Sequence, residues 1–132
     1  MYSENVVSKL DGDIRVFQQL VRDRGGAQLD ASQTVDQTLV NQITKATSRQ
    51  NIPTLLIGDR PVNNQYDFVN NIEKLSGNTA TIFQLVDNKL LRISTTVRKL
   101  DGNPATGTYI PSESPVYKTV LAGNTFRGKA YV

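Results

Sequence analysis

The chain has 132 residues, 38% of them hydrophobic, a formal net charge of +3, and no Cys, His or Trp. That length suits a single domain over residues 1–132, able to bury about two-thirds of its unfolded surface. Without Cys there are no disulfides, thiolate zinc sites, Cys nucleophiles or covalently attached c-type haem, and without His the commonest general base, metal ligand and hydrolase triad are gone.

Val7, Leu10, Ile14, Phe17 and Val21 recur at alternating spacings of 3 and 4. That spacing predicts a long N-terminal helix over residues 1–26. It serves either as a core-facing helix or as a dimer-forming seam that continues from a membrane anchor. Gly12 weakens it, Asp11 or Asp13 offers a later cap, and Gly25-Gly26 ends it. Residues 27–52 are polar and rich in Thr and Gln. Within and after them, Thr38–Thr44 and Asn51–Gly58 read as a hairpin with Lys45–Gln50 as its connection, and Pro53 marks an edge or a strand start. Asp59–Pro61 form a turn. Val62, Tyr66, Val69, Ile72 and Leu75 then mark one face of a second helix, which Gly77 stops.

Thr79–Val86 and Lys89–Arg98 are strands around an Asp87-Asn88 turn. Asp101-Gly102 and Pro104 bend the chain again, and Gly107–Pro111 reads as a loop. Ser114 caps a short helix over Pro115–Leu121, Gly123-Asn124 end it, and Thr125–Val132 is a last strand. The order predicts an α+β fold, an antiparallel sheet with helices on its faces.

Side chains alternate along a strand. Strict alternation puts Leu91, Ile93, Thr95 and Val97 on a core face, and Leu90, Arg92, Ser94 and Thr96 on the other. An Arg in mid-strand must meet a carboxylate of the protein, reach solvent, or meet a ligand carboxylate, which its planar fork fits. Of the aromatic residues Tyr66, Phe83, Tyr109, Tyr117, Phe126 and Tyr131, most read as core. Tyr109 and Tyr117 are able to turn hydroxyls into a cavity. The candidate ligand residues are therefore Arg92, Ser94, Thr96, Tyr109, Tyr117 and Phe83. No metal site is expected, because neither Asp87-Asn88 nor Asp101-Gly102 is followed by oxygen ligands at EF-hand spacing. No catalytic pair and no cofactor motif stands out. The basic residues are scattered, with Arg98-Lys99 the single adjacent pair, so no nucleic-acid face is expected. No run approaches the roughly 18 apolar residues of a membrane span.

TATIFQ, LLRISTTVRKLDG and GTYIPSESPVYKTVLAGNTFRGKAYV, in that order, resemble the extracytoplasmic Cache sensor domain of bacterial chemoreceptors. The closest resemblance is to the single-Cache group known as the Cache 3/Cache 2 fusion. Val40–Thr44 and Pro53–Gly58 are similar to that group's first hairpin, so the likeness covers residues 38–132. It implies a PAS-like antiparallel sheet behind a long N-terminal helix, with a small ligand on the sheet under short covering helices. It also implies an extracytoplasmic domain in a membrane-anchored receptor, and a ligand that is an organic acid or an amino acid. Arg92 is the best match to a ligand-facing position. Family members continue past Arg127–Val132 with two more strands. The resemblance therefore implies a truncated sheet whose last strand, Thr125–Val132, is an unpaired edge open to strand exchange in a homodimer. The expected function is ligand sensing in a chemoreceptor, without enzyme activity. The alternative is a ligand-free dimerisation module of a receptor or sensor histidine kinase.

Overall fold

Asp87 and Asn88 both take positive φ, 47° and 60°. Two such residues in a row build the tight turn whose twist matches a hairpin. They join β5 (Ala80–Val86) to β6 (Lys89–Thr95), the centre of the molecule. The structure, a computed structural model, describes residues 2–10, 15–122 and 125–131, with side-chain surroundings for 15–118 and 120.

The remaining elements, in chain order, are β1 (Tyr2–Leu10), α1 (Arg15–Asp23), β2 (Ala27–Asn41), β3 (Thr47–Ile57) and β4 (Arg60–Pro61). Next come α2 (Asp67–Ser76), β7 (Thr108–Pro111), α3 (Pro115–Ala122) and β8 (Thr125–Tyr131). The strands form one sheet in the order β4-β3-β2-β7-β6-β5-β1-β8. Most neighbours are antiparallel, but β2 runs parallel to β7 at Val40–Thr108 and to β8 at Gln28–Tyr131. The sheet is therefore mixed, where an antiparallel one was expected. Because β8 returns to β2, the sheet curls until β2, β7, β6, β5, β1 and β8 close a ring.

The long N-terminal helix does not form. Tyr2–Leu10 is a strand between β5 and β8, and helix begins at Arg15. The 3-4 spacing was genuine only for Phe17 and Val21, which are buried. For the adjoining β-branched pair Val6-Val7, two sets of ladder hydrogen bonds outweigh a local helical pattern. Asp11, Gly12, Asp13 and Ile14 lie outside the described residues, as do Gly123-Asn124. The strand expected to be an open edge, β8, is the last in the sheet order; it pairs along β1 on one side and meets β2 on the other at Gln28–Tyr131.

The first hairpin is longer than expected. β2 starts at Ala27, and a register shift between Asp30 and Thr34 interrupts its alternation, with Pro53 of β3 opposite Thr34. A proline there loses no outer hydrogen bond, since β4 covers only Leu56 and Ile57. In α2, Phe68, Val69 and Ile72 are buried while Leu75 is 60% exposed, because the helix starts five residues after Val62 and its inner face ends at Ile72. Gly77 closes it in the left-handed region at φ 77°, donating to the Glu73 carbonyl at 2.7 Å. Ser114 caps α3 as expected, its hydroxyl accepting from Val116 N–H at 3.2 Å.

Among the described residues two cores lie on opposite faces of the sheet. The larger joins α1 and α2 to β2, β3, β5 and β6, with Phe17 edge-on to Phe68 at 5.4 Å. The smaller consists of Phe83, Leu90, Ile110 and Val120, with Leu85 and Tyr117 against it, under α3.

Candidate functional site

In β5, Thr81, Phe83 and Leu85 share one face by alternation. Their cross-strand partners settle which residues of β6 join them. Phe83 pairs with Arg92, but Ile82 pairs with Ser94, so Ile93 is an extra residue in β6. This β-bulge resets the parity of the strand. Arg92 lies on the α3 face with Phe83 and Leu90, whereas Ser94 turns to the α2 face. Thr95 then returns to the α3 face, where its hydroxyl lies 2.8 Å from that of Thr81.

Three contacts hold the bulge. Asn64 N–H donates to the Ile93 carbonyl at 2.7 Å, and the Ser94 hydroxyl donates to the Gln65 carbonyl. Gly107 N–H donates to the Arg92 carbonyl at 2.9 Å. Asn64 itself takes φ 59°, a conformation asparagine tolerates better than most residues.

The bulge divides the six expected ligand residues. Arg92, Phe83 and Tyr117 come together on the α3 face. Ser94, Thr96 and Tyr109 lie on the other. Thr96 is tied to Ala80, its hydroxyl accepting from Ala80 N–H at 2.9 Å. Tyr109 pairs with Leu91 and packs in the larger core, with the Lys89 ammonium 5.6 Å from its ring centre. Strict alternation, which placed Arg92, Ser94 and Thr96 together, fails at Ile93.

Sequence reasoning missed Thr81, Thr95 and Thr108 as neighbours of Arg92. Reading Gly107–Pro111 as a loop hid Thr108. As strand β7, the Thr-Tyr-Ile alternation puts Thr108 and Ile110 on the Arg92 face, opposite Tyr109.

Arg92 is half-buried. Its guanidinium sits 5.3 Å from the centre of the Phe83 ring, and Nη1 donates to Thr108 Oγ1 at 3.0 Å. Thr108 in turn donates to the Ala105 carbonyl at 2.6 Å, which fixes its oxygen as an acceptor for Arg92. A guanidinium has five N–H donors. Among the described residues this is the one hydrogen bond it makes, and no carboxylate pairs with it. Desolvation pulls its pKa below the ordinary arginine value. The arrangement is a charged fork braced on an aromatic ring with most of its donors unspent, beside a short ladder of hydroxyls. Such a fork has the free donors that an anion's oxygens can accept from.

Cavities lie elsewhere among the described residues. Two adjoining ones, about 400 Å³ and 250 Å³, share Arg24 and Arg60 as lining residues on the α2 side of the sheet, and another of about 330 Å³ lies at the β5–β6 turn beside Tyr109. Cavity size and buried charge thus point to two places, and for anion capture the desolvated charge is the more direct indicator. No group of acidic residues among those described is arranged to hold a metal ion. No helix among them is long and apolar enough to cross a membrane.

A family model described as the Cache 3/Cache 2 fusion domain matches residues 1–132. No curated protein and no solved structure gives a match. Cache domains are ligand-sensing domains of receptors, typically extracellular, and the mixed sheet with a few helices agrees with their α+β, PAS-like fold. With the match running from end to end, this chain belongs to the Cache 3/Cache 2 fusion family of sensor domains.

Proposed function

We propose that the chain is the sensing module of a membrane-anchored chemoreceptor and that it holds a small carboxylate ligand on the α3 face of its sheet. The observation that carries this reading is the half-buried Arg92 guanidinium, braced by Phe83 and Thr108 and lacking a protein carboxylate among the described residues. A ligand carboxylate supplies the charge and the two parallel acceptors that a guanidinium fork fits. Phe83 and Leu90 are buried in the smaller core beneath α3, and the half-buried Tyr117 is the aromatic surface beside them for the rest of the ligand. Binding without chemistry suits a chain with no His and no Cys. In the receptor reading the domain lies outside the membrane, and binding changes the packing of α3 on the sheet.

The test is a calorimetric screen of small carboxylates and amino acids. A hit should lose at least about tenfold in affinity in Arg92→Met, since a hydrogen bond to a charged group contributes roughly 1.5–3 kcal/mol. Unchanged affinity in that variant rules out Arg92 as the ligand's anchor. Failure of every compound favours a dimerisation module, which sedimentation would show as a constitutive dimer.

A further inference from the structure

The cavities at the other face of the sheet carry a separate reading. Arg24 follows α1, and Arg60 opens β4. Both line both cavities. Arg24 is stacked over Phe68, 4.9 Å from its ring centre, so its position is braced by an aromatic face and its edge donors remain available. Among the described residues neither guanidinium hydrogen-bonds or pairs with a carboxylate. Asp59 lines the first cavity, and Asp67 and Gln65 line the second. Gly58 sits at φ 66°, so close to the Arg24 carbonyl that a Cβ would collide with it, and its N–H donates to the Gly26 carbonyl at 2.9 Å, which ties the β3–β4 turn to the residues after α1.

Two arginine forks offer more N–H donors than the two oxygens of one carboxylate can accept. A tetrahedral oxyanion presents enough acceptors for both. The two aspartates cancel the formal charge of the two arginines and repel a bare anion. They are satisfied by a ligand that also brings an O–H donor. Hydrogen phosphate has acceptor oxygens and a P–OH at neutral pH, whereas sulfate has no proton to give.

We propose that the Arg24–Arg60 groove is a second ligand site, selective for inorganic hydrogen phosphate. The arginines take its oxygens and Asp59 or Asp67 accepts its P–OH. This site is independent of the Arg92 reading, because it lies on the opposite face of the sheet.

Titration of the whole chain with inorganic phosphate, sulfate, glycerol phosphate and succinate at matched ionic strength tests it by calorimetry. Phosphate should bind at least about tenfold tighter than sulfate. It should also outbind glycerol phosphate, most of which has lost its P–OH at neutral pH. Arg24→Gln and Arg60→Gln should each weaken phosphate roughly tenfold, and Arg60→Lys less than Arg60→Gln. Asp59→Asn with Asp67→Asn should erase the preference for phosphate over sulfate. Arg92→Met should leave phosphate affinity unchanged. Far-UV circular dichroism of each variant confirms that these exposed substitutions leave the fold intact. Equal binding of sulfate and phosphate overturns the proposal, as does tighter binding of succinate, or phosphate affinity indifferent to both arginines. Loss of phosphate in Arg92→Met alone would move the anion to the other face and overturn it too.

Discussion

Arg92 holds an uncommon position for an arginine, in mid-strand, half-buried and without a described carboxylate. A desolvated charge contributes little to stability when no opposite charge answers it. Arg92→Met should therefore leave the ligand-free protein as stable as before, or stabilise it by up to about 1 kcal/mol, in a urea titration. A loss of more than about 2 kcal/mol would make Arg92 a structural residue. Asp36 provides the contrast. The hydrogen bond from Arg49 to its carboxyl, with an Arg49 Nη2–Asp36 Oδ2 separation of 2.6 Å, is the main cause that lowers its pKa. A carboxyl whose folded pKa is depressed adds stability above its unfolded value and loses it as pH falls through the folded one. Both side chains are exposed, so Asp36→Asn should barely flatten the acid limb of a melting-temperature profile.

At the level of elements, the bulge at Ile93 decides which side chains meet. Its anchors come from Asn64, Gln65 and Gly107, none of them adjacent to it in sequence. Ser94→Ala strips the Gln65 carbonyl of its hydroxyl donor and should cost about 1–2 kcal/mol by denaturant titration. If stability is unchanged, that bond does not hold the bulge. The hairpin β5–β6 was legible because Asp87-Asn88 is a local signal, and Gly77 and Ser114 announced their helix ends in the same way. Bulges leave no such mark. The alternation Leu91, Ile93, Thr95 is unbroken on paper, and only the partner strand shows that Thr95 has changed sides. The shift between Asp30 and Thr34 hid the first half of β2 for the same reason. As a result the mid-strand Arg92 is legible in the sequence, while Ser94 and Thr96, expected beside it, lie on the other face. The hydroxyls that do accompany it went unseen. Strand β1 shows a different limit: its Val7 and Leu10 fit a helical repeat, and its conformation is decided by β5 and β8, far along the chain.

For the molecule as a whole, β1 closes the sheet from the inside. It separates β5 from β8, and each pairs with it along one edge. Removing residues 1–10 would leave two unpaired edges facing one another. The expected outcome is association or aggregation, visible as a concentration-dependent rise in sedimentation coefficient, because open edges recruit other strands. A monomer of unchanged stability would mean that β1 contributes nothing to closure. The pairing of Tyr2 with Tyr131 also bears on how the protein reaches its native state. Contacts between distant parts of the chain form slowly, since the entropy of closing the loop comes before any reward. Here the first strand can pair with β5 once the central hairpin exists, but its other edge has no partner until β8 exists. During synthesis the hairpin around Asp87-Asn88 and the α2 region can assemble early and take up β1 along β5, while the outer edge of β1 waits. The nascent protein then spends its most vulnerable interval with that edge of β1 bare, and refolding from denaturant should show a slow last phase that reports the docking of its two ends.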